Sequence, residues 1–205
     1  MRKSLFLIVA LLLTSLFVLP ACGTNKGDSG KYEPVGDKKI LVAYFSVSGN
    51  TKRVAEYAKE SLGADLYEIV PEEPYTSADV NYNNADSRAN KENNDPSARP
   101  KIKGSVANMS EYDVVIIAHP IWWGIAPKII YTFVESYDFS GKTLTTMCTS
   151  SSSPLESSAE NLKKLTSEST QWLQSKRFSS RAGKSEVESW LKDIELLKPE
   201  PAETV

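Results

Sequence analysis

Histidine occurs once and cysteine twice in the 205 residues. With His119 alone, no His and Cys cluster at metal-ligand spacing can be assembled, and Ser, His and Asp do not arrange into a nucleophilic triad. If Cys22 is otherwise engaged, no second cysteine is left for Cys148 to bridge, so disulfides do not hold the fold and the core must suffice. Neither sign of charge is in excess: the formal net charge is −2 and the mean hydropathy −0.32. A mildly acidic, mixed surface argues against nucleic acid and against a polybasic grip on lipid heads. There is no G-x-x-x-x-G-K-[ST], hence no nucleoside triphosphate loop, and no G-x-G-x-x-G, hence no dinucleotide fingerprint. No internal repeat is visible.

What is present begins with a targeting segment. Arg2 and Lys3 form a basic start, and Leu5 to Leu19 is an apolar core, short for a membrane-spanning helix. It ends in Leu19-Pro20-Ala21-Cys22-Gly23, which resembles the bacterial lipobox, with Pro20 unusual for it. The resemblance implies removal of residues 1–21 and a lipid on Cys22, leaving the following domain on the extracytoplasmic side of a cell membrane, tethered but not spanning. The alternative is an ordinary secretory peptide with an incidental Cys. Loss of Arg2 and Lys3 with the leader would take the net charge to −4. Residues 22–37 read as a polar, Gly-rich linker and 198–205 as a polar tail with two prolines. Between them, 38–197 is roughly 160 residues, one domain of ordinary size.

The domain is organised around Lys38 to Thr51. Ile40 to Phe45 is a continuous apolar run, as expected of a strand buried on both faces. A short loop follows, Ser46-Val47-Ser48-Gly49-Asn50-Thr51. Then Val54, Ala55, Ala58 and Leu62 fall on one helical face. Strand, tight loop and helix start aim backbone N–H groups and the positive helix end at one point, which favours a phosphate. Gly49 would let the backbone come close. The plainer reading is that Ser48 or Asn50 merely caps the helix. Ser46 and Ser48 stand where a phosphoryl receiver would need an acidic pair.

Asp65 to Val70 reads as a second strand, its apolar run broken by Asp65 and Glu68 in a way that suits an edge. The polar stretch Pro71 to Ser110 is either disordered or a lid or inserted short helix over the site, with Arg88 to Glu92 the candidate helix. Tyr112 to His119 is the strongest strand, purely apolar from Val114 to Ala118 and so central. It opens into Pro120-Ile121-Trp122-Trp123-Gly124-Ile125-Ala126-Pro127, and the next helix is expected to reach about Tyr137. Two adjacent Trp in a loop after a central strand suit a flat heterocycle, one of them packing underneath. Thr143 to Thr149 is a fourth strand that opens into Ser150-Ser151-Ser152-Ser153, whose last serines could instead cap a helix from Leu155 to Leu165. Trp172-Leu173 starts a short fifth strand, and Lys184 to Leu196 a closing helix.

S-V-S-G-N-T resembles the phosphate loop of flavodoxins, and P-I-W-W-G-x-x-P resembles their second flavin loop. T-S-S-S-S stands where flavodoxin-like proteins often carry T-S-G-G-S; without the glycines, any φ > 0 there would be costly. The resemblance covers Lys38 to about Leu196. It implies an α/β fold, a flavodoxin-like doubly wound five-stranded parallel sheet of order 2-1-3-4-5, with ligands beyond the carboxyl ends of the strands. It also implies bound flavin mononucleotide (FMN), contacted by Ser46, Val47, Ser48, Gly49, Asn50 and Thr51, by Pro120, Ile121, Trp122, Trp123 and Gly124, and by Thr149, Ser150, Ser151 and Ser152. In that family Gly124 would let a backbone carbonyl turn toward the flavin N5. The expected function is electron transfer through FMN, with the redox partner or substrate unnamed. The alternatives are an NAD(P)H-dependent quinone or flavin reductase on the same fold, should the insertion line room for a second substrate, and a cofactor-free lipoprotein binding module.

Overall fold

The computed structural model describes residues 32–200. The expected leader and lipid-bearing Cys22 lie outside the described residues. In chain order the elements are β1 (Tyr32–Pro34), β2 (Ile40–Tyr44), α1 (Asn50–Leu62), β3 (Asp65–Glu68), β4 (Val70–Pro71), α2 (Arg88–Asn94), β5 (Ile102–Lys103), β6 (Val114–Pro120), α3 (Lys128–Glu135), β7 (Thr143–Thr149), α4 (Glu156–Lys163), β8 (Gln171–Trp172), β9 (Lys176–Phe178), α5 (Lys184–Asp193) and β10 (Leu197–Pro199).

Runs of apolar, β-branched residues place β2 and β6 at the centre. Every residue of β2 is buried, as are Val114 to His119 of β6. All strands of the main sheet pair in parallel, in the order β3-β2-β6-β7-β8, with β9 also on β7. This is the expected order 2-1-3-4-5, and β3 lies at the edge as its broken pattern predicts. Alternate residues feed two cores. Val42, Ile116, Ala118 and Met147 pack under α1 and α5 with Trp190, while Leu41, Val115, Ile117 and Leu144 pack with Ile130 and Phe133 of α3. Each fully buried side chain of this size contributes about 1.5–3 kcal/mol, so both faces are needed.

Four expectations are corrected. The linker 22–37 is structured from Tyr32, because β1 pairs antiparallel with β10. The ordered unit therefore exceeds 38–197 at both ends. The pairing is held by Tyr32, whose hydroxyl accepts from Lys192 Nζ at 3.0 Å and whose ring packs on the α1/α5 core. The closing helix stops at Asp193 rather than Leu196, because Glu195 turns left-handed (φ 59°) and Leu196 N–H returns to the Leu191 carbonyl at 2.9 Å. The fifth strand is split. Between β8 and β9 the Ser175 hydroxyl accepts from Thr146 N–H at 3.3 Å, a side chain standing in for a ladder carbonyl, while the Gln174 carbonyl accepts from Trp190 Nε1 at 3.1 Å. Finally, Asp65 to Val70 is not one strand. Val70 leaves the main sheet and pairs, as β4, with β5.

The insertion is ordered, and α2 covers the expected Arg88 to Glu92 and runs to Asn94. Among the described residues no helix is long and apolar enough to cross a membrane.

Candidate functional site

The loops after β2, β6 and β7 emerge side by side at the carboxyl edge of the sheet, as their parallel pairing requires. The first enters α1 directly. Its N-cap is Gly49 (φ 83°), and no side chain caps the helix, so neither Ser48 nor Asn50 plays the capping role. The amides of the first turn therefore have no acceptor within the helix and no side-chain substitute. Gly49 takes the left-handed φ that glycine adopts at little cost, and an added Cβ there would meet nothing within 4 Å. Ser46 Oγ accepts from Gly49 N–H at 3.1 Å and frames the loop from inside. Thr51 is buried, and its hydroxyl lies 2.8 Å from that of Thr149, which locks the first loop to the end of β7.

The second loop is a two-residue turn. Trp122 N–H donates to the Ile125 carbonyl at 2.9 Å and Ile125 N–H returns to Trp122 at 3.0 Å. Trp123 (φ 47°) and Gly124 (φ 84°) occupy its centre, both left-handed, as a type I′ turn demands. Gly supplies this at little cost; Trp does not, and strain of this kind concentrates at functional sites. The strain turns Trp123 outward, 38% exposed. Trp122 is the ring that packs underneath, edge-on to Phe45 at 5.6 Å and to Tyr75 at 5.4 Å. Tyr75 is itself braced by the insertion. Its hydroxyl donates to Glu92, Arg88 Nε donates to the same carboxylate at 2.7 Å, and the guanidinium lies 4.1 Å over the Tyr75 ring. Burial first, then the Glu92 carboxylate, pushes the Tyr75 phenol well above its ordinary range.

The third loop bends without any left-handed residue; none of Ser150 to Ser153 has positive φ. Ser150 Oγ instead accepts from the N–H groups of Ser152 (3.2 Å) and Ser153 (2.8 Å), a hydroxyl-mediated turn that replaces the expected glycines. Nor do these serines cap α4, whose N-cap is Leu155.

The three loops enclose one cavity of about 740 Å³. Of the residues expected to form the site, it is walled by Val47, Ser48, Asn50, Thr51, Pro120, Ile121, Trp122, Trp123, Thr149, Ser150, Ser151 and Ser152. Ser46, Gly49 and Gly124 are not on the wall; they hold the turns behind it. Four wall residues were not foreseen: Ser153, Val80 and Tyr82 of the insertion, and Ser180 after β9. Tyr82 is 73% exposed at the rim. Among the described residues no carboxylate, amine, guanidinium or imidazole lines the cavity. Neutral donors and aromatic faces on one wall form a donor set suited to a phosphorylated flat heterocycle.

His119 lies behind this wall, completely buried. Its Nδ1 is 2.9 Å from the Pro120 carbonyl, an acceptor, so Nδ1 carries the proton and Nε2 is a bare acceptor. Nε2 has no partner among the described residues. Burial pushes the imidazole down to about 4, the hydrogen bond to Pro120 acting weakly in the other direction.

Comparison with known proteins bears on the fold. A crystal structure of a candidate flavoprotein from Bacteroides eggerthii DSM 20697 is 44% identical, with a TM-score of 0.72 over 77% of this chain and 98% of the other. A second, from Bacteroides uniformis ATCC 8492, is 37% identical with a TM-score of 0.72 over 76% and 98%. A flavoprotein of Lactobacillus acidophilus NCFM, crystallised in complex with FMN, shares the fold at 23% identity and a TM-score of 0.57 over 75% and 98%. No curated protein matches the chain. The family model for flavodoxin matches residues 39–194, from the start of the central strand to the end of the closing helix, and the chain belongs to the flavodoxin family.

Proposed function

We propose that this protein binds FMN in the three-loop cavity and transfers electrons through it. The observation that carries the reading is the make-up of the cavity wall. The uncapped first turn of α1, with Ser48 and Thr51, and the strained, outward-turned Trp123 border the same space. The residues fit the group: unpaired amides and hydroxyls match a terminal phosphate, and an exposed indole matches a flat ring. When bound, FMN supplies one- or two-electron redox chemistry at its ring. The chain's own part is to hold and orient. Amides of residues 50–52 and the hydroxyl of Ser48 fix the phosphate. Thr51, tied to Thr149, keeps the first and third loops in register. Trp123 covers one face of the ring, and Ser150 to Ser152 offer N–H and O–H groups to its polar edge.

The test is the absorption spectrum of the purified protein after incubation with FMN and, separately, riboflavin. The expected result is a bound flavin spectrum and tighter binding of FMN. Equal affinities would remove the phosphate assignment, and a protein that stays colourless with both would favour the cofactor-free binding module.

One observation favours a second reading. Val80 and Tyr82 of the insertion border the same cavity, so the space beside the ring is bounded by a segment available to a second substrate. An NAD(P)H-dependent quinone or flavin reductase uses such space. Bleaching of the bound flavin by NADH or NADPH within seconds would select it, and slow or absent bleaching would leave the carrier.

A further inference from the structure

A fourth segment closes the cavity. The connection between β9 and α5 brings Ser180 to the wall that Ser48 and Thr51 also line. Its shape is fixed locally, because Ala182 N–H returns to the Ser179 carbonyl at 3.1 Å and Arg181 N–H donates to Ser179 Oγ at 3.2 Å. Ala182 is buried in the core shared by α1 and α5. The segment is then pinned by Arg53, which lies in the opening of α1 and whose guanidinium donates to the Ser180 carbonyl. That contact brings Ser180 to the start of α1, where the uncapped amides lie. It also accounts for Arg53. A cation one residue beyond the first-turn amides would be the obvious charge partner for a phosphate, yet Arg53 is turned onto a carbonyl and is absent from the wall.

We infer that Ser180 is a fourth-loop ligand of the FMN phosphate and that Arg53 is its positioning residue, acting through the Ser180 carbonyl and not through its charge. The inference rests on the FMN reading above. It takes the phosphate to be held by neutral donors from two loops, with Ser48 and Ser180 132 residues apart in sequence.

The experiment measures dissociation constants of FMN and riboflavin for the full, tag-free chain and for Ser180→Ala, Arg53→Met and the double variant, at about 50 and about 300 mM salt. A hydrogen bond to a charged group leads to the expectation that Ser180→Ala weakens FMN roughly tenfold and leaves riboflavin unchanged. Arg53→Met should weaken FMN by a similar factor at both salt concentrations, and the double variant should be no weaker than Arg53→Met alone. Unaltered riboflavin affinity shows that each variant is folded; if Arg53→Met does not fold, Ser180→Ala decides alone. A Ser180→Ala protein with the wild-type FMN-to-riboflavin ratio overturns the ligand role. An Arg53→Met defect that vanishes at high salt overturns the positioning role in favour of a direct charge. A wild-type protein that binds no FMN would fail the parent reading instead.

Discussion

His119 makes the folded protein sensitive to acid in a way that one substitution can isolate. The imidazole titrates near 6.5 in an unfolded chain and is held at about 4 in the buried site. A depressed histidine stabilises the fold above its unfolded value, where both states are neutral. As the pH falls below 6.5 the unfolded chain takes up a proton that the native state refuses, and stability drains until the folded value is reached. At about 1.36 kcal/mol per unit the full loss is about 3.4 kcal/mol, and between pH 7 and 4.5 it is about 2.4 kcal/mol. That is a large part of the 5–15 kcal/mol typical of a domain. Urea unfolding at both pH values, for the wild type and His119→Gln, measures it. The amide can still donate to the Pro120 carbonyl but does not titrate, and carboxylates common to both proteins cancel in the difference. The wild type should lose about 2.4 kcal/mol more than the variant. Because the chain has a single histidine, the imidazole signal in a nuclear magnetic resonance titration of tag-free protein is unambiguous, and it should not move between pH 7 and 5. A midpoint near 6.5 in the folded protein, or equal pH dependence of the two proteins, would refute the reasoning.

Further outcomes follow from the site. Trp123→Ala should weaken FMN about tenfold with little change in stability, since the ring is exposed. Trp122→Ala should instead lower stability by about 2 kcal/mol, since it removes the edge contacts to both Phe45 and Tyr75; calorimetry and flavin titration separate the two, and reversed effects would mean the rings have been assigned the wrong way round. With no cation or carboxylate on the wall, riboflavin affinity should be flat from pH 5 to 8, and FMN affinity should fall only as the phosphate loses its second charge near pH 6. A titration in the riboflavin data would point to an ionisable group at the ring. On the reading that Cys22 carries a lipid, Cys22→Ala should abolish labelling by a fatty-acid tracer and stop signal processing, whereas mature-sized, labelled protein would rule that reading out.

The parts of the fold that sequence reveals are those whose cause is local. Val114 to Ala118 can be read as a central strand because five consecutive apolar residues leave no polar face. The edge character of β3 is written in Asp65 and Glu68. What escapes is decided by partners far along the chain. Tyr32 to Pro34 has no strand pattern of its own and becomes one only against Leu197 to Pro199. The break in the fifth strand depends on Ser175 meeting Thr146. At the site, three loops are legible because each follows a recognisable strand. Ser180 and Tyr82 are not, because a serine in a polar turn and a tyrosine in an Asn-rich loop carry no periodicity that says which way they face.

The pairing of β1 with β10 also fixes a direction. The cavity opens where β2, β6 and β7 end and where α5 begins. The clip lies at the other end of α5, where Lys192 meets Tyr32, ten residues or about 15 Å away along the helix. Both ends of the described chain therefore leave from the pole opposite the cavity. Anything attached before Tyr32, a lipid on Cys22 included, would pull on the far pole and leave the mouth of the cavity facing outward. Docking partners could then reach it without competing with the anchor. A pulling force there would meet the short β1–β10 ladder before it reached the central sheet, so the clip would act as a mechanical buffer between any such tether and the site.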